Sequence, residues 1–293
     1  MTLWLCVLIR IVTSPFSNVF QKMLTRNAAA PLFIICVTHG LLSLACVPVF
    51  LFFLKPLSVE FWLDISVCSL LCVSGNVLIV KALNFSDLSV LGPINAYKSV
   101  ISLIPGMILL NEFPGPLGLS GIVLIVVGSY FIVDKDLNEA STLAIARFLK
   151  DRGIQYRFAA LILSAMEAVF LKRALHASSS LTTFAFWSIL GFGVSSVAVA
   201  VVIDTKQMRH EISVLGSNRL TFVMLFVTTG LMQLSTIFVL EGLQVGYSLA
   251  LFQTSTLISV VLGYRLFQER HFIKRLVGSM VMVAGAVLII VSK

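Results

Sequence analysis

Apolar runs of about twenty residues follow one another along almost the whole chain, separated only by short stretches that carry charge, glycine or proline. This pattern leaves little choice of fold. The chain is 58% hydrophobic and 12% charged, against about 25% charged residues in an ordinary soluble domain. It therefore cannot cover a globule with water-facing side chains, and the fold class it points to is an all-α polytopic membrane protein.

A hydrocarbon core about 30 Å thick takes roughly 20 residues per helix. On that measure the sequence predicts ten transmembrane helices, at about 2–23, 31–54, 61–84, 87–110, 114–133, 155–177, 181–203, 219–240, 244–267 and 271–291. The first run is long, contains Arg10 and lacks a small-residue cleavage site, so it reads as a helix and not as a removable signal. Most connections are short, such as "LKPLSVE", "NEFPGP" and "FQERHFIKR". The exception is "DKDLNEASTLAIARFLKDRGIQ", Asp134–Gln155, which is polar and central. It reads as a linker, with a short interfacial amphipathic helix over "STLAIARFLKD" as the alternative. The expected organisation is a first unit over 1–133, a linker over 134–154 and a second unit over 155–293.

The two units repeat one another. "SLIPGMILLNEFPGPLGLSGIVLIVVGSYFIV" aligns with "SVVLGYRLFQERHFIKRLVGSMVMVAGAVLII", so that Ser102 meets Ser259, Gly106 meets Gly263 and Glu112 meets Glu269. In the same register Gly121 meets Gly278 and Gly128 meets Gly285. At a shifted register "VFQK" (Val19–Lys22) resembles "VFLK" (Val169–Lys172). Five helices per unit is an odd number, so the second unit is expected to run through the membrane in the opposite sense. Such inverted-topology pairs are common in secondary transporters with a midplane site.

Ten spans, the five-plus-five repeat, and a Glu after the fourth helix of each unit followed by a Gly-containing fifth helix resemble the EamA family of the drug/metabolite transporter superfamily. The residues that carry the resemblance are "LLNE…GLSGIVLIVVGSY" and "LFQE…LVGSMVMVAGAVL", with the helix ends at Lys22 and Lys172. The resemblance implies a transporter. It also implies that helices 1, 3 and 4 and their counterparts 6, 8 and 9 surround a central cavity.

Charge supplies the orientation. The net charge of +8 would raise nucleic acid as a partner in a soluble protein. Here Lys and Arg gather in short loops, about fifteen of them on the linker side and about four on the side of the termini. The positive-inside rule then places the linker in the cytoplasm and both termini outside.

A charge at a helix centre costs about 2.5–3.5 kcal/mol on insertion scales, so intramembrane charges face a partner or a cavity. Arg10, Lys98 and Glu167 are the three that fall well inside spans. Helical spacing groups polar residues with them. Arg10, Ser14 and Ser17 or Asn18 share a face of helix 1. Asn95, Lys98 and Ser102 share a face of helix 4, and Ser164 accompanies Glu167 on helix 6. Asn76 marks helix 3; Thr229, Gln233 and Thr236 line one face of helix 8; Gln253 and Thr256 mark helix 9. The predicted substrate-binding set is Arg10, Ser14, Asn18, Asn76, Asn95, Lys98, Ser102, Glu167, Gln233, Thr236 and Gln253. The competing reading is a structural ion pair between Lys98 and Glu167, with the amides and hydroxyls bonding helix to helix. Lys81 and Glu241 read as rim residues, and Glu112 and Glu269 as helix-end caps.

No HExxH, P-loop or GxSxG motif is present, and the four His and five Cys form no triad or zinc spacing. The cysteines read as small packing residues. The expectation is therefore a non-enzymatic, cofactor-free secondary transporter, a multi-pass protein of a bacterial cytoplasmic membrane, acting as a monomer or homodimer. Two cations and one carboxylate suit a small zwitterion, amino-acid-like and exported, with a proton as the candidate coupling ion. The alternatives are an organic-anion, sugar-phosphate or nucleotide-sugar carrier, and a non-transport scaffold or lipid-handling protein.

Overall fold

The computed structural model describes residues 2–52, 56–85, 97–132, 152–267 and 272–291. Among them are thirteen helices and no strand. The first six are α1 (Thr2–Arg26), α2 (Pro31–Ala45), α3 (Val47–Phe52), α4 (Val59–Phe85), α5 (Tyr97–Leu110) and α6 (Pro116–Ile132). The remainder are α7 (Arg152–His176), α8 (Ser180–Val202), α9 (Thr205–Ser217), α10 (Arg219–Gly242), α11 (Val245–Phe252), α12 (Ser255–Phe267) and α13 (Phe272–Val291).

Five described segments are long and apolar enough to cross a membrane: Leu3–Arg26, Val59–Phe85, Ser180–Val202, Arg219–Gly242 and the combined run Val245–Leu266. Four shorter apolar helices accompany them, within α2, α5, α6 and α13. α7 is 25 residues long, about 38 Å at 1.5 Å per residue. It lacks the hydropathy of a span because it carries Arg152, Arg157, Glu167, Lys172 and Arg173. Large apolar side chains stand outward on the helices, among them Leu5, Leu8 and Val12 on α1 and Val197 and Val201 on α8. This is a multi-pass membrane protein whose lipid-facing surface is apolar.

Two expected continuous helices are broken. The run over 31–54 divides at Cys46 into α2 and α3, just before Pro48, which lacks the N–H that a continuous helix needs. The run over 244–267 divides at Gln253 and Thr254. There the backbone tightens to three-residue steps, Gln253 N–H to Ala250 O and Thr254 N–H to Leu251 O. The side chains take part as well: Gln253 Nε2 donates to Leu249 O at 3.1 Å and Thr254 Oγ1 to Leu251 O at 2.8 Å. These side chains serve carbonyls left by the turn, as polar groups must in an apolar medium. A third departure is α9, a helix between α8 and α10 in a segment that the sequence pattern leaves as a connection. Asp204 caps it by accepting from Gln207 N–H at 2.7 Å. Glu211, fully buried, docks it by accepting from Ala30 N–H with both oxygens, at 3.0 and 3.1 Å. The last linker residues, Arg152–Ile154, form the start of α7; the rest of the central linker and its amphipathic alternative lie outside the described residues.

The helices pack in pairs drawn from the two halves of the chain. α1 lies along α10, α4 along α7, α2 along α8, and α6 along α13. α5 also packs on α7, and α12 on α1. The α6–α13 crossing depends on glycine. A Cβ at Gly121 would stand 2.7 Å from Gly285 O, and one at Gly128 would stand 2.8 Å from Gly278 O. Small residues let the two backbones approach at both points. α1 and α10 are joined by Ser17 Oγ to Thr229 Oγ1 at 2.9 Å and by Arg10 Nε to Thr236 Oγ1 at 2.7 Å. Seven residues separate the bonded positions on each helix, two turns of an antiparallel seam.

Candidate functional site

Between these helix pairs lies a polar cavity of about 110 Å³. A water needs about 10–15 Å³ by the same kind of measure, so the space suits roughly eight waters or a small solute. α1 contributes Arg10, Ser14, Ser17, Asn18 and Gln21; α4 contributes Asn76; α5 contributes Lys98. α7 contributes Arg157, Ser164 and Glu167, and α10 contributes Thr229, Gln233 and Thr236. Each set falls at three- or four-residue steps, which is why one helix face supplies it. The described lining also includes Thr38 and His39 of α2, Trp187 of α8, and Leu249 and Phe252 of α11.

Arg10 is held on two sides. Its Nε donates to Thr236 Oγ1, and that hydroxyl donates in turn to Met232 O at 2.7 Å. Its guanidinium lies 4.8 Å from the centre of the Phe252 ring, within the range of a cation–π contact. Its Nη1 has no hydrogen-bond partner. One turn along α10 from Thr236, the amide nitrogen of Gln233 is also buried without a partner. The Trp187 indole nitrogen is a third such atom. The fourth, His39 Nδ1, faces the backbone of α8, because a Cβ on Gly191 would collide with it.

Glu167 and Lys98 are both half-buried and line the same cavity. Among the described residues no ion pair joins them within contact distance, and none joins Glu167 to Arg10. Opposite charges around one cavity, not closed onto each other, leave room for a solute that bridges them.

Of the residues singled out in the sequence, Arg10, Ser14, Asn18, Asn76, Lys98, Glu167, Gln233 and Thr236 come together around this cavity. Ser102 and Gln253 do not line it. Ser102 is buried with its hydroxyl donating to Ser99 O at 2.8 Å, and Gln253 is committed to Leu249 O. Asn95 lies outside the described residues. Gln21, Thr38, His39, Arg157, Trp187 and Phe252 were not singled out. Arg157 sits six residues into α7, at a depth where the sequence reads it as a flanking orientation charge. His39, Trp187 and Phe252 carry no pattern that separates them from apolar core.

Leu171, Leu249 and Phe252 also line the cavity. The residue after Leu171 belongs to a knot of polar contacts. Lys172 is ion-paired with Glu112 and donates to Leu243 O at 2.6 Å, while the other oxygen of Glu112 accepts from Val245 N–H at 2.7 Å. Glu112 thus caps the start of α11 across the protein and not its own helix. Arg173 pairs with Asp64 at 3.3 Å, and Ser180 donates to Glu241 at 2.7 Å. Lys81 is exposed, 5.8 Å from the Tyr156 ring. Glu269 lies outside the described residues. No cluster of three or more His, Cys, Asp or Glu residues suited to a metal occurs among the described residues, where the five cysteines are free.

Comparison with known proteins fits this arrangement. A solved crystal structure at 13% identity superposes with a TM-score of 0.67, covering 97% of this chain and 94% of that one, which shows a shared fold. No curated protein matches the sequence. The profile of the EamA-like transporter family matches residues 2–134 and again 151–291. A family of transporters, not enzymes, thereby accounts for nearly the whole length. The chain belongs to the EamA-like transporter family.

Proposed function

We propose that the chain moves a small zwitterionic metabolite, amino-acid-like and outward bound, by alternating access about the central cavity. The observation that carries this reading is the pair Lys98 and Glu167, with Arg10, set around one cavity without closing on each other. The cationic side of the lining meets the anionic end of the substrate. Glu167 meets its ammonium group, or carries the coupling proton when the site is empty.

The ten-span, inverted five-plus-five arrangement (1–133, linker 134–154, 155–293) is part of the proposal. The packing of α1 on α10 and α4 on α7 supports it, since the repeat exchanges the first helix with the sixth and the third with the eighth. The glycine contacts 121–285 and 128–278 are likewise exchanged by the alignment of Gly121 with Gly278 and Gly128 with Gly285. Two halves related in this way can rock about a fixed midplane site. The proposed setting is a cytoplasmic membrane with the linker inside. One observation favours a second reading, an organic-anion carrier: Arg157 adds a third cation to the lining.

The test is a ligand screen by thermal shift on purified protein, repeated on Lys98→Ala and Glu167→Ala. Stabilisation by amino-acid-like solutes, lost in both variants, is expected. Stabilisation by phosphorylated compounds and not by amino acids selects the anion carrier. Retention of full ligand response in both variants overturns both readings.

A further inference from the structure

Two of the cations that line the central cavity, Arg10 and Lys98, are not equivalent. Lys98 stands on α5, which packs on α7, the helix that carries Glu167, so the carboxylate of the lining is on its neighbouring helix. Arg10 is presented differently. Its Nε is fixed by a Thr236 hydroxyl that is itself spent on Met232 O, and its face rests on Phe252. Only the outer nitrogens remain to meet a ligand, and Nη1 is unpartnered. Gln233, 6% exposed, sits three residues before Thr236 on the same face of α10, and its unpartnered amide nitrogen completes a two-residue donor set. Buried donors without acceptors are costly in an apolar interior and are rare in native structures. A planar group with two acceptor oxygens satisfies both, because a guanidinium edge matches a carboxylate in geometry as well as charge.

Resting on the transport reading of this cavity, we propose that Arg10 and Gln233 form the socket for a substrate carboxylate. Lys98 serves as the counter-charge of Glu167 and not as the anchor of the anion. The carboxylate then sits at the α1–α10–α11 corner, away from α5.

The protein contains its own reporter. Of three tryptophans, Trp187 lines the cavity, while Trp4 and Trp62 stand exposed on the outer surface. In a Trp4→Phe/Trp62→Phe protein the emission of Trp187 reads occupancy. The probes are the common L-amino acids, each paired with its carboxamide, which keeps the shape and removes the negative charge. Binding of an acid about tenfold to a hundredfold tighter than its amide is expected, the range for charge-assisted hydrogen bonds. Arg10→Lys keeps the charge but loses the fork, and should erase that preference; Gln233→Leu should reduce it several-fold. Lys98→Met should weaken acid and amide alike and leave their ratio unchanged. The proposal is overturned if carboxamides bind as tightly as acids, if Arg10→Lys preserves the preference, or if Lys98→Met alone removes it. Silence of Trp187 to the whole panel also overturns it. The transport reading is tested separately and fails if proteoliposomes carry no solute above the protein-free background. Thermal unfolding of each variant distinguishes a lost socket from a lost fold.

Discussion

Replacing Lys172 by Met should destabilise the protein more than replacing Lys172 and its partner together. Lys172 supports two groups at once, the Glu112 carboxylate and Leu243 O. The side chains of the pair are 8% and 12% exposed, so water cannot substitute for the lost ammonium. Removing one member of a buried pair costs about 3–5 kcal/mol, mostly because the remaining charge is stranded. In Lys172→Met the Glu112 carboxylate keeps only Val245 N–H. In Glu112→Gln/Lys172→Met the amide oxygen still accepts from Val245 N–H and no charge is left. The double variant should then cost about 1–2 kcal/mol, one or two neutral hydrogen bonds. The assay is a double-mutant cycle on purified protein in detergent, read by equilibrium unfolding. A coupling energy near zero, with the two single costs simply adding, refutes the reasoning. So does a Lys172→Met protein that unfolds at the wild-type midpoint.

Three further outcomes follow from particular contacts. Gly128→Val should lose about 1–3 kcal/mol by forcing α6 from α13, because its added carbons meet Gly278 O and Met282; equilibrium unfolding reads it, and Gly193→Ala, with open space around it, is the control. Glu211→Ala removes the acceptor of Ala30 N–H at the start of α2 and should cost about 0.5–2 kcal/mol, as loss of a cap does. Hydrogen exchange should rise at Ala30 and along α9 and nowhere else. Ser17→Ala should cost about 0.6 kcal/mol, a typical hydrogen bond between membrane helices, read by equilibrium unfolding.

The fold was legible wherever length and hydropathy carry it. Apolar runs of the right length located α1, α4, α8 and α10, and the paired "GLSGIVLIVVG" and "LVGSMVMVAGA" stretches pointed to glycines that prove to sit at one helix crossing. The break at Gln253–Thr254 was not legible, because the apolar run continues across it and a turn leaves no periodic mark; the break at Cys46 was marked by Pro48, which the length of the apolar run overrode. α9 was missed although Asp204, three residues before its bonded amide, is a capping signal. It is short, half polar and set between two strong spans. In the site, helical phase recovered the stripes on α1, α7 and α10. It could not recover Trp187 or Phe252, since an aromatic that faces a cavity has the same spacing as one that faces core. It also brought in Ser102, whose hydroxyl turns back to its own helix. Phase gives the face of a residue but not what lies opposite, and that depends on which helix the other half of the chain supplies.

The proposed passage of a small zwitterion across a bilayer, between Glu167 and its cations, is open to direct measurement. The direct measurement is uptake of the common amino acids by liposomes containing the purified protein, followed solute by solute by mass spectrometry, beside protein-free liposomes and liposomes with Glu167→Gln. At least one small zwitterion should accumulate with the wild-type protein, and its rate should fall about tenfold or more in Glu167→Gln, the worth of one charged hydrogen bond. Equal rates in the two proteins, or no amino acid above the protein-free background, would contradict it.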